Sequence, residues 1–174
     1  MNSTLGCWWP SLAQRALVWL VLATMVMLMA GCSGLFKQPR FVLEKNGDPI
    51  HDAVLEHETN WRGTRYQWGG TSRWGIDCSA YMQRVFKDVF DVELPRTTSS
   101  QIVLGTRVSL HELQAGDLVF FQFDSKTLHV GVYLSKGGFA HAGYSTGVTL
   151  SPLYLPVWRD RFIEGRRIIR VASS

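Results

Sequence analysis

The sequence predicts an α+β domain in which N-terminal helices pack on an antiparallel sheet. Two observations carry the prediction. Apolar residues recur at helical spacing through the first half of the chain, and from Gly116 onward the spacing changes to the alternation of strands. Helices followed by strands, rather than alternating with them, point to α+β order. The 174 residues carry 18 Lys and Arg against 14 Asp and Glu, a net charge of +4. That surplus suits an anionic wall or lipid surface, and no DNA- or RNA-binding signature accompanies it.

The N-terminus reads as an export signal over residues 1–31. Arg15 is its only charged residue, and Ala16–Ala30 then runs without a charge up to Gly31-Cys32. The apolar run is shorter than the roughly 20 residues that span a membrane and ends in small residues, so cleavage is expected. Leu28-Met29-Ala30-Gly31-Cys32 resembles a bacterial lipobox, with Met29 where Leu is usual. The resemblance implies lipidation of Cys32 and attachment to a membrane. Ser33, rather than Asp, favours outer-membrane sorting, on the periplasmic face. Loss of Arg15 with the signal lowers the net charge from +4 to +3. Residues 32–48 mix Gly, Ser, Pro and Lys without a period and read as a tether. Residues 49–174 are long enough for one domain with its own core, expected to act as a monomer.

Within that domain, Ile50, Val54, Leu55 and Trp61 mark a first helix from Pro49 to Trp61, closed by Arg62-Gly63-Thr64. Tyr81, Val85, Phe86, Val89 and Phe90 then form the apolar face of a second helix, with Asp77 at its N-cap and Cys78 in its first turn. Leu94-Pro95-Arg96 breaks this helix, and Thr97–Gln101 reads as a polar turn before a short helical piece. Strands follow at Leu118–Phe123, His129–Leu134, Gly138–Tyr144, Val148–Leu150 and Arg161–Val171. Ser135-Lys136-Gly137 joins two of them as a three-residue hairpin loop. In that register Gly131 faces His141, and His129 is its diagonal neighbour on the same face, about 7–8 Å away at the backbone.

The chain has three cysteines, and Cys7 leaves with the signal while Cys32 is blocked by lipid. Cys78 is then an unpaired thiol in an oxidising compartment, either buried and inert or kept for reactivity. A helix N-terminus and a nearby imidazole would both lower its pKa, below the region near 8.5 where a free thiol titrates. His129 is the candidate imidazole, with His141 placed to orient it. Cys78, His129 and His141 are also a plausible zinc set, although no Cys-x-x-Cys or His-Glu-x-x-His spacing supports one. His51, His57 and His111 are expected at the surface. Trp61, Trp68 and Trp74 either line a groove or fill the core. Arg159, Arg161, Arg166, Arg167 and Arg170 read as the solvated face of an edge strand.

Tyr66-Gln67-Trp68-Gly69-Gly70, Ile76-Asp77-Cys78-Ser79, Leu94-Pro95-Arg96, Ala115-Gly116-Asp117-Leu118, His129-Val130-Gly131-Val132-Tyr133 and Phe139-Ala140-His141-Ala142 resemble, in order and spacing, the NlpC-like cell-wall peptidases. The resemblance covers about residues 50–170. It implies a compact papain-like fold and hydrolysis of amide bonds in peptidoglycan stem peptides, near a diamino acid such as meso-diaminopimelate. It assigns Cys78 as nucleophile, His129 as general base and His141 as the residue that orients the base. Tyr66 would assist the oxyanion or substrate, with Asp77 and Ser79 beside the substrate. No cofactor or metal is implied. Ala80 departs from the Gly usual after Asp-Cys-Ser and raises the question of crowding in the groove. The other readings are a catalytically silent lipoprotein that binds peptidoglycan or recruits a hydrolase, and an amidase or acyltransferase on the same fold.

Overall fold

The computed structural model describes residues 19–20 and 41–169. The signal, Cys32, most of the expected tether and Arg170 lie outside the described residues. Packing begins by Phe41, ahead of the expected boundary at Pro49. Phe41 and Leu43 lie against the core, and a Cβ on Gly138 would meet Leu43 Cδ1 at 2.4 Å. An apolar pair two residues apart is too short a pattern to distinguish from a tether by periodicity.

The first helix, α1, spans Pro49–Trp61. Asp48 caps it by accepting from the N–H groups of Ile50 at 2.9 Å and His51 at 3.2 Å, and Pro49 at the first position has no N–H to satisfy. Its buried stripe adds the polar residues His51, His57 and Glu58 to Val54, Leu55 and Trp61. The expectation of surface positions for His51 and His57 is therefore wrong, while His111 is exposed. Each buried polar residue has a partner, and for the two histidines sequence spacing does not reveal it. His51 bridges Glu44 O at 3.1 Å and Ser135 Oγ at 2.7 Å, His57 Nε2 meets Asp88 at 3.2 Å, and the fully buried Glu58 is forked by Arg62. Buried polar groups on a helix stripe are tolerated where they are paired in this way.

Strands β1 (Thr71–Ser72) and β2 (Gly75–Ile76) form a small antiparallel pair ahead of α2 (Cys78–Phe90). Asp91, at φ 53°, ends α2 in the left-handed region, and its N–H reaches back to Lys87 O and Phe86 O. Of the expected apolar face, Tyr81, Val85 and Phe86 are fully buried, whereas Val89 and Phe90 pack at its margin. The segment read as a polar turn is itself a one-turn helix, α3 (Thr98–Gln101), capped by Thr97. Gln101 is fully buried and donates to Ser79 O at 3.0 Å and Pro95 O at 2.8 Å.

Six strands form the main sheet: β3 (Thr106–Val108), β4 (Leu118–Gln122), β5 (Leu128–Tyr133), β6 (Gly138–Gly143), β7 (Gly147–Pro152) and β8 (Phe162–Arg167), in the order β3-β8-β4-β5-β6-β7, all antiparallel. The arginine-rich strand β8 is thus internal, and the short β3, which lacks a periodic signal, takes the edge. The arginines there are committed to acids: Arg167 forks Asp117 at 2.9 and 2.8 Å, and Glu164 holds both Arg166 and Arg107.

The hairpin register follows the sequence expectation. Val132 pairs with Ala140 and Tyr133 with Phe139, which sets Gly131 opposite His141. A Cβ on Gly131 would lie 3.2 Å from His141 Cβ and 2.6 Å from Phe139 Cδ2, so only glycine leaves room for the two rings. Alternation sends Phe120, Val130, Val132, Ala140 and Ala142 to the face covered by α1 and α2. Val119, Phe121 and Phe139 point to the opposite face, where Trp158 of helix α4 (Pro156–Arg159) and Phe162 cover them.

Candidate active site

His129 pairs with Phe121, so His129 and His141 belong to the Trp158 face of the sheet, not to the face on which α2 lies. The two imidazoles lie together as the hairpin register predicts, on the face of the sheet away from α2. Cys78 comes alongside the start of β5. Thr98 Oγ1 is 3.7 Å from its sulfur, and the backbone N–H groups of Val130 and Ser79 act on it in the sense that favours the thiolate. Cys78, His129 and His141 line one cavity of about 630 Å³.

The histidines form a chain. His129 Nε2 lies 2.9 Å from His141 Nδ1, and His141 Nε2 lies 2.9 Å from Ser151 Oγ. The rings of His129 and His141 are nearly perpendicular, and Trp158 packs on both, at 5.5 and 4.8 Å between centroids. A nitrogen from each imidazole is spent on the other, an arrangement that does not aim both lone pairs at a common ion.

Burial sets the protonation of the site. It pushes His129 down to about 4 and His141 well below the usual imidazole range, His141 also being repelled by His129. Burial likewise pushes the Cys78 thiol up, outweighing the donors from Thr98, Val130 and Ser79. The expected lowering of the thiol pKa is thus reversed in the resting protein. A helix N-terminus contributes about half a charge at most, and loss of water around a sulfur only 6% exposed exceeds it. The resting pair is a neutral thiol beside neutral imidazoles.

Asp77 is a junction rather than a free substrate ligand. Although burial opposes its ionisation, hydrogen bonds from Arg96, Ala80 N–H and Ser79 hold its carboxyl below the usual carboxylate range. It also accepts from Gly69 N–H at 3.0 Å, and Arg96 grips both of its oxygens while donating to Ser79 Oγ at 2.9 Å. Tyr66 is bridged to Ile76, two residues before Cys78, and its ring lies 5.5 Å from that of Tyr144. Burial, with the Cys78 and Asp77 charges, pushes its hydroxyl up to about 12, so it stays a neutral donor.

A second cavity, of about 550 Å³, shares Tyr66, Trp68, Cys78, Thr127 and Leu128 with the first, so a groove continues on both sides of the sulfur. Trp68 lines both halves and is 85% exposed, whereas Trp61 is in the core beneath Arg73 and Trp74 borders neither cavity. Ala80 is packed in the core at 2% exposure and lines neither cavity, so its methyl group does not crowd the groove. Thr98, Ser151, Tyr144 and Trp158 are groove residues that the sequence reading missed. Carrying the hairpin register one strand further to β7 would have found Ser151, which is paired with Phe139 and diagonal to His141.

The sequence and the fold have counterparts. The murein DD-endopeptidase MepS/murein LD-carboxypeptidase of Escherichia coli K12 is 40% identical over 127 residues, covering 73% of this chain and 67% of the relative. The probable endopeptidase NlpC of the same organism is 38% identical over 151 residues, 86% of this chain and 97% of the relative. A crystal structure of an NlpC/P60 family protein from Bacillus cereus superposes with a TM-score of 0.63 at 29% identity, covering 69% of this chain and 40% of the longer bacillus chain. The NlpC/P60 family profile matches residues 63–167, a span that contains α2 with Cys78 and both His129 and His141. The chain belongs to the NlpC/P60 family.

Proposed function

We propose that this chain is a lipid-anchored cysteine endopeptidase that hydrolyses amide bonds in peptidoglycan stem peptides, next to a diamino acid such as meso-diaminopimelate. The observation that carries the reading is a thiol at a helix start sharing a groove with an ordered chain of two imidazoles and a hydroxyl. The relatives named for murein and for endopeptidase activity support the substrate class. A groove that continues on both sides of the sulfur suits a bond with chain on either side of it. Cys32 would carry the lipid, at the periplasmic face of the outer membrane, and the domain would work as a monomer.

His129 Nε2 is engaged with His141, and Nδ1 carries no hydrogen bond among the described residues. Nδ1 is the atom free to act as base, and in that role the proton sits on Nε2. Nε2–H donates to His141 Nδ1, and His141 Nε2–H donates to Ser151 Oγ. In attack, Nδ1 takes the thiol proton as the sulfur bonds to the carbonyl carbon. The N–H of Cys78 and the Tyr66 hydroxyl meet the oxyanion. Collapse expels the amine, protonated by His129, and leaves a thioester. Water, deprotonated by His129, hydrolyses the thioester and restores the thiol.

The test is digestion of purified sacculi followed by mass mapping. New amine and carboxylate ends within stem peptides are expected. Uncut sacculi would favour the silent binding protein, and a transferred acyl group would favour an acyltransferase.

Ser151 is a positioning residue in this scheme. Ser151→Ala strands a buried N–H of His141, a loss of about 1–3 kcal/mol for an unpaired buried donor. The expected result is a fall in kcat of about tenfold with KM little changed, restored in Ser151→Thr. An equal change in KM, or no rescue, would point to general disorder instead.

A further inference from the structure

The two halves of the groove differ in charge. Beyond Cys78 on the Trp158 side, the walls are Phe123, Leu128, Tyr144, Val157 and Trp158 with the two histidines and the hydroxyls of Ser145, Thr146 and Ser151; no acid, lysine or arginine lines this half, although Arg161 packs over the ring of Phe123. The other half holds Asp77, Arg96 and Lys126 together with Thr97, Thr98 and Ser99. Asp77 is saturated: Gly69, Ser79, Ala80 and Arg96 all donate to it, and Arg96 spends its charge there. Lys126 makes no ion pair among the described residues. One ammonium group without an ion-pair partner among the described residues therefore borders a half-groove rich in hydroxyl groups.

The loop that carries Lys126 is organised by its own acid without consuming the ammonium group. Asp124 Oδ1 accepts from the N–H groups of Lys126 at 2.8 Å and Thr127 at 2.9 Å, and Oδ2 accepts from Thr127 Oγ1 at 2.8 Å. Asp124 is thereby satisfied by the turn, and both its backbone and hydroxyl donors hold its carboxyl below the usual range. The acid nearest Lys126 in sequence is thus engaged locally, and the lysine stays available for a ligand.

We propose that Lys126 is the specificity-determining residue of a cationic subsite that takes a free carboxylate of the substrate, a role that rests on the peptide cleavage proposed above. A carboxylate seated there orients the peptide, because no lysine or arginine lines the aromatic half of the groove. Selection of this kind acts mainly on binding and weakens with salt.

The experiment uses a cross-linked stem-peptide dimer, isolated from sacculi, and the same dimer with its carboxylates converted to primary amides. At low salt the wild type is expected to prefer the carboxylate form by about three- to fivefold in kcat/KM, the scale of one exposed charge pair. In Lys126→Met the preference falls to near unity, and Lys126→Arg retains it. Equal cleavage of both dimers by the wild type, or an undiminished preference in Lys126→Met, overturns the subsite. Equilibrium binding of both dimers to Cys78→Ala and to Cys78→Ala/Lys126→Met gives a readout without turnover. If the wild type cuts neither dimer, the peptidase reading fails, while a Kd difference that disappears with Lys126→Met still sustains the subsite. Equal Kd values for Cys78→Ala overturn it.

Discussion

Replacing Cys78 by Ala lowers amide hydrolysis by about 10⁴-fold or more, and His129→Gln does nearly the same, because a nucleophile and its base act as a unit. The double variant is expected to be no slower than the worse single one. The pH dependence carries a sharper signature. His129 must be neutral to accept the thiol proton, and burial holds its pKa at about 4. The rate should therefore stay level as pH falls through 6.5, where an ordinary imidazole would titrate, and decline only towards pH 4. Initial rates on a soluble stem peptide between pH 3.5 and 8 would check this, with folding followed by circular dichroism. An acid limb near 6.5 would show that the imidazole is solvated in the working enzyme. Losses that multiply in the double variant would separate Cys78 and His129 into independent roles.

The same burial explains which parts of the site could be read from sequence. Asp77 before an apolar period is a local signal, and both the cap and the place of Cys78 in the first turn followed from it. The hairpin is local too: a three-residue loop ending in glycine at φ 75° sets a single register, so His129 and His141 could be placed together. Which face they occupy depends on where α2 docks, a property of the whole sheet. The reversal of the thiol shift has the same origin, since a helix terminus is visible in a sequence and the loss of solvent around it is not. Polar residues on the buried stripe of α1 were misplaced for a related reason. His51 is satisfied by Ser135, far along the chain, and no period announces such a partner. Arg96 was visible only as part of a motif, and its role as the counter-charge of Asp77 required the fold.

Arg96→Met should cost about 2–4 kcal/mol of stability at neutral pH, less than the 3–5 kcal/mol typical of a fully buried broken pair because Arg96 is 38% exposed. The side chain of Asp77 is 9% exposed and would keep three neutral donors while losing the one opposing charge it pairs with among the described residues. The sign with pH follows from its depressed pKa. A carboxylate held below its unfolded value contributes stability above that unfolded value, and the contribution is lost as pH falls through the folded one. The gap between wild type and variant is thus largest at neutral pH and narrows below about pH 4. Adding Asp77→Asn to Arg96→Met removes the orphaned charge and should recover part of the loss, whereas two independent surface changes would add. Urea unfolding at pH 7 and pH 3.5 measures both effects. Activity should fall further than stability explains, because Asp77 ties together three walls of the groove: the Gly69 turn after Tyr66 and Trp68, the start of α2 with Cys78, and the Arg96 segment that leads to Thr98. A variant that unfolds more easily yet cleaves at the wild-type rate under native conditions would show that these walls hold their places without the junction.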